Sequence, residues 1–211
     1  MSSSSSSSSS SLPILLICGC QKYKASLLTA ITRMKHDAYT IIGIVGSSEP
    51  TSFDGTILSL CVEDTYEFLP KKIHTAFTWI HANYPETCGI FKTDDDIFFG
   101  HQTHLAHEIV QHSKSPYWGV VTHSVVGGDV PVGRIMNCCE DKSIRATYQR
   151  ANYCWGLGYW ISRDAIPVVC ASDEYKKSFL EDVCMGYVMN AAGFQPYRVD
   201  IAYREMPRQV A

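Results

Sequence analysis

The sequence predicts one α/β domain, a mainly parallel central sheet flanked by helices. Three observations lead there. Short, continuous apolar runs recur along the 211 residues, the pattern of strands buried on both faces. Segments with apolar residues at helical spacing separate them. There is no internal repeat, and no linker once an N-terminal Ser run is set aside, so the length fits one domain with a sizeable core.

The elements follow in order. Residues 1–12 hold the Ser run, low-complexity polar sequence that cannot bury a core and is expected to be disordered; residues 13–211 form the domain. Ile14 to Cys18 reads as a fully buried first strand. Its run is too short for a signal peptide core or a membrane span. Gly19-Cys20-Gln21 is a turn. Ala25 to Met34 reads as a helix with Leu27, Leu28, Ile31 and Met34 on one face, and Thr40 to Val45 as the next strand. Ile57 to Val62 is a short third strand. A helix then runs from near Pro70 to Tyr84, with Ile73, Phe77, Ile80 and Tyr84 inward; Pro is tolerated in a first turn, and Pro85 stops it. Residues 88–93 form a strand, His101 to His112 a helix, and Tyr117 to Thr122 another strand. Val126 to Asn137, with Gly127, Gly128, Pro131 and Gly133, is a loop or an irregular hairpin and a candidate lid. Cys138 to Arg150 is polar and fits no element. Trp155 to Ile161 is a strand interrupted by Gly156 and Gly158; glycine there marks either a ligand's approach or close packing of large rings. Ser178-Phe179-Leu180-Glu181 has the form of a capping box opening a helix that Gly193 closes. Tyr197 to Ile201 is a last short strand, and the tail from Glu205 is polar and expected to be mobile.

Composition excludes several functions. The net charge is −3, and Lys and Arg are scattered without a stripe or tail, which argues against a nucleic-acid binder. Nine Cys occur with no Cys-x-x-Cys pair. That removes zinc ribbons and redox motifs and suggests buried thiols in a reducing compartment. Neither Gly-x-Gly-x-x-Gly nor Gly-x-x-x-x-Gly-Lys is present. The four His of residues 101–112 do not form His-Glu-x-x-His, and an EF-hand loop starting at Asp94 would place Phe98 and Leu105 at ligand positions.

The most informative stretch is Phe91-Lys92-Thr93-Asp94-Asp95-Asp96-Ile97-Phe98-Phe99. Three adjacent carboxylates repel one another and suit neither strand nor helix. Such a cluster beside apolar residues implies a compensating cation. Oxygen donors on a short turn suit Mg²⁺ or Mn²⁺, which draw further ligands from phosphates or water. A position at the carboxyl end of a buried strand is where open α/β sheets bind ligands. A solvated acidic turn is the plain alternative.

Five segments in order resemble the β-1,3-galactosyltransferase and fringe-type glycosyltransferases. They are Asp64-Thr65-Tyr66 with Leu69 and Lys72, the acidic stretch itself, Tyr117-Trp118-Gly119, Tyr153 to Tyr159 with Ser162, and Glu181-Asp182-Val183 with Gly186. The resemblance implies a GT-A fold, a UDP-sugar donor, a glycan or glycoprotein acceptor and an inverting reaction. It implies that Asp96 binds Mn²⁺ (or Mg²⁺) directly, that Asp94 acts on the ribose or through a metal-bound water, and that Asp95 supports the turn. The nucleotide then lies near Gly19, Cys20 and Gln21, with Asp64 contacting uracil or ribose and Lys72 reaching the diphosphate. A helix cap is the competing role for Asp64. Trp155, Gly156, Gly158 and Glu181 fall to the acceptor or sugar pocket. Asp182 is the implied catalytic base, kept ionised by the helix N-terminus, with Glu181 explained by capping. Fringe-type enzymes carry a metal-binding His near the C-terminus. No His follows His123, which leaves Asp200 or water to complete the set. Without an anchor or a disulfide framework, the chain is expected to be a soluble, cytoplasmic form such as those of bacteria or large DNA viruses, acting in a host cytoplasm if viral. A sugar-phosphate nucleotidyltransferase and a non-catalytic sugar-binding module are the alternatives.

Overall fold

Ile14–Cys18 forms the central strand β1, and all five of its residues are buried. It pairs in parallel with β2 (Thr40–Ser47) on one side and with β5 (Gly89–Asp94) on the other. Beyond β2 lie β4 (Ile57–Cys61) and β3 (Ser52–Phe53). Beyond β5 lie β10 (Asn152–Ser162), β7 (Tyr117–His123) and β11 (Tyr197–Arg198). The sheet order is β11-β7-β10-β5-β1-β2-β4-β3. β10 runs against both of its neighbours and β3 against β4; the others share one direction. This computed structural model describes residues 12–123, 128–130, 146–148 and 151–209. The Ser run (apart from Leu12), most of the Val126 to Asn137 loop, and nearly all of Cys138 to Arg150 lie outside the described residues.

Strand alternation sends successive side chains to opposite faces, and each face has its own cover. Leu16, Ile44, Leu60, Tyr159 and Ile161 join one core cluster with α2 (Leu69–Asn83), α4 (Ile166–Ala171) and α5 (Glu181–Ala191). Leu15, Ile17, Phe91, Trp118 and Trp160 join the other with α1 (Lys24–Arg33) and α3 (Gln102–His112). The result is a three-layer α/β domain, as predicted. Two small antiparallel ladders flank the sheet. One pairs β6 (Ile97–Phe98) with β12 (Arg204–Glu205); the other pairs β8 (Gly128–Val130) with β9 (Ala146–Tyr148). Among the described residues, no helix is long and apolar enough to cross a membrane.

Three expectations need correction, and one element is new. Leu28 is 46% exposed, because the buried stripe of α1 runs through Leu27, Ala30 and Met34, a turn apart, and Leu28 is rotated off it. α5 begins at Glu181 with Leu180 at its cap and no side-chain capping bond, so Ser178 does not cap it. The short helix α4 was not foreseen. The polar tail from Glu205 is tied down: Met206 N–H donates to the Asp96 carbonyl at 2.7 Å, and Gln209 N–H to Ser26 Oγ at 2.6 Å.

The chain order creates a crevice. From β1 the sheet grows through β2 to β4 and β3, then returns to the other side of β1 with β5. A topological switch point therefore lies between the carboxyl ends of β1 and β5, the site at which open sheets bind ligands.

Candidate active site

At that switch point Cys18 and Asp94 are cross-strand partners, and a cleft of about 510 Å³ opens above them. Gly19, Cys20, Tyr23, Asp64 and Lys72 contribute to its lining, with Asp94, Asp95 and Arg208 opposite. Gly19 is buried, Cys20 half-buried and Gln21 exposed. The Asp64 carboxylate ties three segments together. It accepts from Gln21 N–H at 2.5 Å, from Gly46 N–H at 2.9 Å and from Lys72 Nζ at 2.9 Å. Lys72 is buried and also donates to the Gly19 carbonyl at 2.8 Å. Asp64 thus precedes α2 without capping it, and Lys72 Nζ is fixed in the cleft floor rather than extended toward solvent. Both hold the loop after β1 against the end of β2.

The acidic turn starts with the last residue of β5. Asp95 N–H donates to the Cys18 carbonyl at 3.0 Å, which fastens the turn to β1. The Asp95 side chain is buried and accepts from Arg208 Nε at 2.9 Å through Oδ1; its Oδ2 is buried with no hydrogen-bond partner. Asp96 Oδ2 lies 3.2 Å from Arg208 Nη2. Burial pushes the carboxyls of Asp95 and Asp96 up, and the Arg208 charge opposes this. Asp94 Oδ1 is paired with Lys92 Nζ at 2.8 Å. Two protein cations therefore compensate the three carboxylates.

Lys92 stands in the middle of a buried strand and is itself 1% exposed. Burial would lower its pKa, but Asp94 and Glu181 outweigh this and raise it, so the ammonium is retained. Besides Asp94, it reaches Glu181 Oε2 at 3.3 Å and donates to the Gly156 carbonyl at 2.7 Å. Glu181 is buried, accepts a hydrogen bond from Tyr159 Oη, and has its carboxyl pushed up to about 7 by burial, against the pull of Lys92. Beside it, half-buried Asp182 accepts from Gly156 N–H at 3.1 Å and from Val183 N–H at 2.8 Å. Burial also raises the Asp182 pKa, with those backbone bonds and Lys92 opposing. One peptide segment, Gly156, thus donates to Asp182 and accepts from Lys92.

A family model described as Galactosyltransferase matches residues 42–200, well over half of the chain. The chain belongs to the galactosyltransferase family. It carries a glycosyltransferase domain with a GT-A-like fold. Among curated relatives, UDP-GalNAc:beta-1,3-N-acetylgalactosaminyltransferase 1 of Sus scrofa is 27% identical over 151 residues, which cover 64% of this chain and 41% of that protein. The protein of the same name from Homo sapiens is 26% identical over the same coverage. The match therefore spans less than half the length of these relatives. Among solved structures, a 4-diphosphocytidyl-2C-methyl-D-erythritol synthase from Anaerococcus prevotii aligns with a TM-score of 0.47 at 11% identity, covering 90% of this chain and 87% of that one.

The region matched by the galactosyltransferase model holds the acidic turn, Gly156 and Asp182, while β1 and Arg208 lie outside it. Trp155 is 42% exposed beside Gly156. At Gly156 a Cβ would meet Asp182 Oδ2 and Lys92 Nζ, each at 3.6 Å; at Gly158 it would meet Phe91 Cζ at 2.9 Å. Of the two readings of these glycines, the close-packing one fits Gly158, which is sealed against an aromatic core. Gly156 belongs to the polar cluster. Glu181 is not a capping residue: it turns inward to Lys92 and Tyr159. The helix N-terminus does not dominate Asp182, because burial outweighs it. Asp200 pairs with Arg198 at 2.9 Å, its side chain 77% exposed.

The donor chemistry can be tested against a divalent ion. Among the described residues no three His, Cys, Asp or Glu converge on one point, so Asp200 does not complete a set with Asp94 and Asp96. Two carboxylates that leave the remaining positions to phosphate oxygens or water are a usual arrangement for Mg²⁺ and related hard cations. On donor type the residues fit. Sequence reasoning missed Lys92, Tyr159 and Arg208. For Lys92 a signal existed, a lone cation inside an apolar run.

Proposed function

We propose that the domain transfers a sugar from a UDP-sugar to a hydroxyl of a glycan or glycoprotein acceptor, with inversion at the anomeric carbon. The observation that carries this is Asp182, held by the Gly156 and Val183 amides and linked through Lys92 to Asp94 at the switch-point cleft. Family membership supports transfer chemistry, and the donor in the relatives' name, UDP-GalNAc, makes UDP-sugars the first to test. The nucleotide takes the cleft beside Gly19, Cys20 and Gln21. Asp64 and Lys72 hold that wall in shape, and Trp155 and Gly156 border the sugar and acceptor.

Asp94 and Asp96 would hold Mn²⁺ or Mg²⁺, and the bound ion would neutralise the diphosphate as it leaves. Asp182 takes the proton from the acceptor hydroxyl as that oxygen attacks the anomeric carbon. A carboxylate with a raised pKa is the stronger base, and base strength near the working pH favours this step. Lys92 keeps both acidic partners in place. The seven described cysteines are free thiols.

The test is incubation with UDP-sugars and Mn²⁺, with and without glycan acceptors. Release of UDP is expected. Sugar-1-phosphate formed with pyrophosphate instead would indicate a nucleotidyltransferase, and no release from any donor a non-catalytic module. Asp182→Asn, nearly isosteric, should keep UDP affinity and lose transfer by about a hundredfold or more. Normal turnover by that variant with a true acceptor would place the base elsewhere.

A further inference from the structure

Arg208 reaches the acidic turn from the far end of the chain. Its side chain is 41% exposed, lines the same cleft as Gly19 and Lys72, and lies with its Cζ 5.6 Å from the centre of the Tyr23 ring. Its backbone is held on both sides, by the β12–β6 ladder and Met206 N–H before it and by the Gln209–Ser26 bond after it. The backbone that carries the guanidinium is thus anchored beside the cleft independently of its ion pairs. It carries five N–H donors, and the contacts with Asp95 and Asp96 need only two.

Those two contacts are unequal. The Asp95 side chain is 1% exposed, whereas the Asp96 side chain is 26% exposed. Releasing Asp95 would strand a buried charge, which is costly; releasing Asp96 returns a carboxylate to water or to a cation. A planar guanidinium exchanges a carboxylate oxygen for a phosphate oxygen with its charge-assisted geometry intact.

We propose that Arg208 is a diphosphate-binding residue of the donor site. On donor entry it keeps Asp95, gives up Asp96 and takes a diphosphate oxygen, which frees Asp96 for the divalent ion. This rests on the nucleotide-sugar reading of the cleft. It gives the segment after β12 a cationic role toward the leaving group.

Calorimetric titration of UDP and of Mn²⁺ alone into wild type, Arg208→Gln and Arg208→Lys decides it. In Arg208→Gln, UDP affinity should fall about tenfold or more both in EDTA and at saturating Mn²⁺, the scale of a lost hydrogen bond to a charged group. Mn²⁺ alone should bind that variant more tightly, because Asp96 has lost its competitor. Arg208→Lys keeps a point charge without the fork and should lose UDP affinity severalfold; it also serves if the Gln variant does not fold. Unchanged UDP affinity in the folded variants would overturn the proposal. So would tighter UDP binding, which would make the tail an obstruction only. If wild type itself fails to bind UDP, the donor reading falls and this proposal falls with it.

Discussion

Lys92 holds together two carboxylates that belong to different elements, Asp94 at the end of β5 and Glu181 at the start of α5. Removing the cation of a buried pair leaves uncompensated charge and costs about 3–5 kcal/mol. Lys92→Met should therefore lower the unfolding free energy by that amount in urea titration. Adding Glu181→Gln to it should recover a large part, since neutral isosteres do not need the cation. The single Glu181→Gln variant has a pH signature. The folded pKa of Glu181 is raised, to about 7 from an ordinary 4.5, so the folded state binds the proton more tightly than the unfolded one. The stability contribution of this group is fully present below about pH 4.5 and is lost as pH rises to about 7. The variant lacks that loss, so its stability relative to wild type should improve across this window. A pH-independent difference in melting temperature would refute the assignment.

At the scale of elements, α5 is set on β10 by a glycine. A Cβ at Gly186 would meet Tyr153 Cβ at 2.3 Å and the Asn152 carbonyl at 2.8 Å. The Glu-Asp-Val-x-x-Gly spacing thus joins the acids at the helix start to the contact that seats the helix little more than one turn on. Gly186→Ala should cost roughly 1–3 kcal/mol by overpacking, and it should also shift Asp182 relative to Gly156. Transfer rate is then expected to fall more than UDP affinity; an equal fall in both would mean general destabilisation alone. The same elements show what local sequence conceals. β1 was legible to the residue because burial on both faces writes a continuous apolar run. The start of α5 was misplaced because Ser178 and Glu181 satisfy a local capping pattern, while the partners that actually claim Glu181 come from β5 and β10. Leu28 was misassigned because an apolar residue can sit beside a helix's buried stripe without belonging to it.

Over the whole molecule, the α/β order and the acidic turn at a strand end were readable, since periodicity and composition encode both. The closing of the site was not. Arg208 meets Asp95 across 113 residues, and no spacing rule reaches that far. Thiol reactivity gives a global check. Cys18, Cys154 and Cys184 are buried, with thiols pushed up to about 12, and Cys61 is exposed. Ellman's reagent should react promptly with Cys61 in native protein, slowly with the buried three, and with all nine cysteines after denaturation without reductant. Fewer free thiols in the denatured sample would indicate disulfides and argue against a reducing compartment.

The unequal exposure of the tryptophans has an optical consequence. Trp118 and Trp160 are stacked and fully buried, Trp79 is half-buried, and Trp155 stands in solvent next to the Gly156 amide that holds Asp182. Red-edge excitation therefore favours Trp155, and iodide quenches it first. Its emission is an unlabelled reporter at the proposed border between donor and acceptor. A sugar or acceptor settling against that indole should shift the emission to shorter wavelength and shield it from iodide, while the buried pair supplies a constant internal reference.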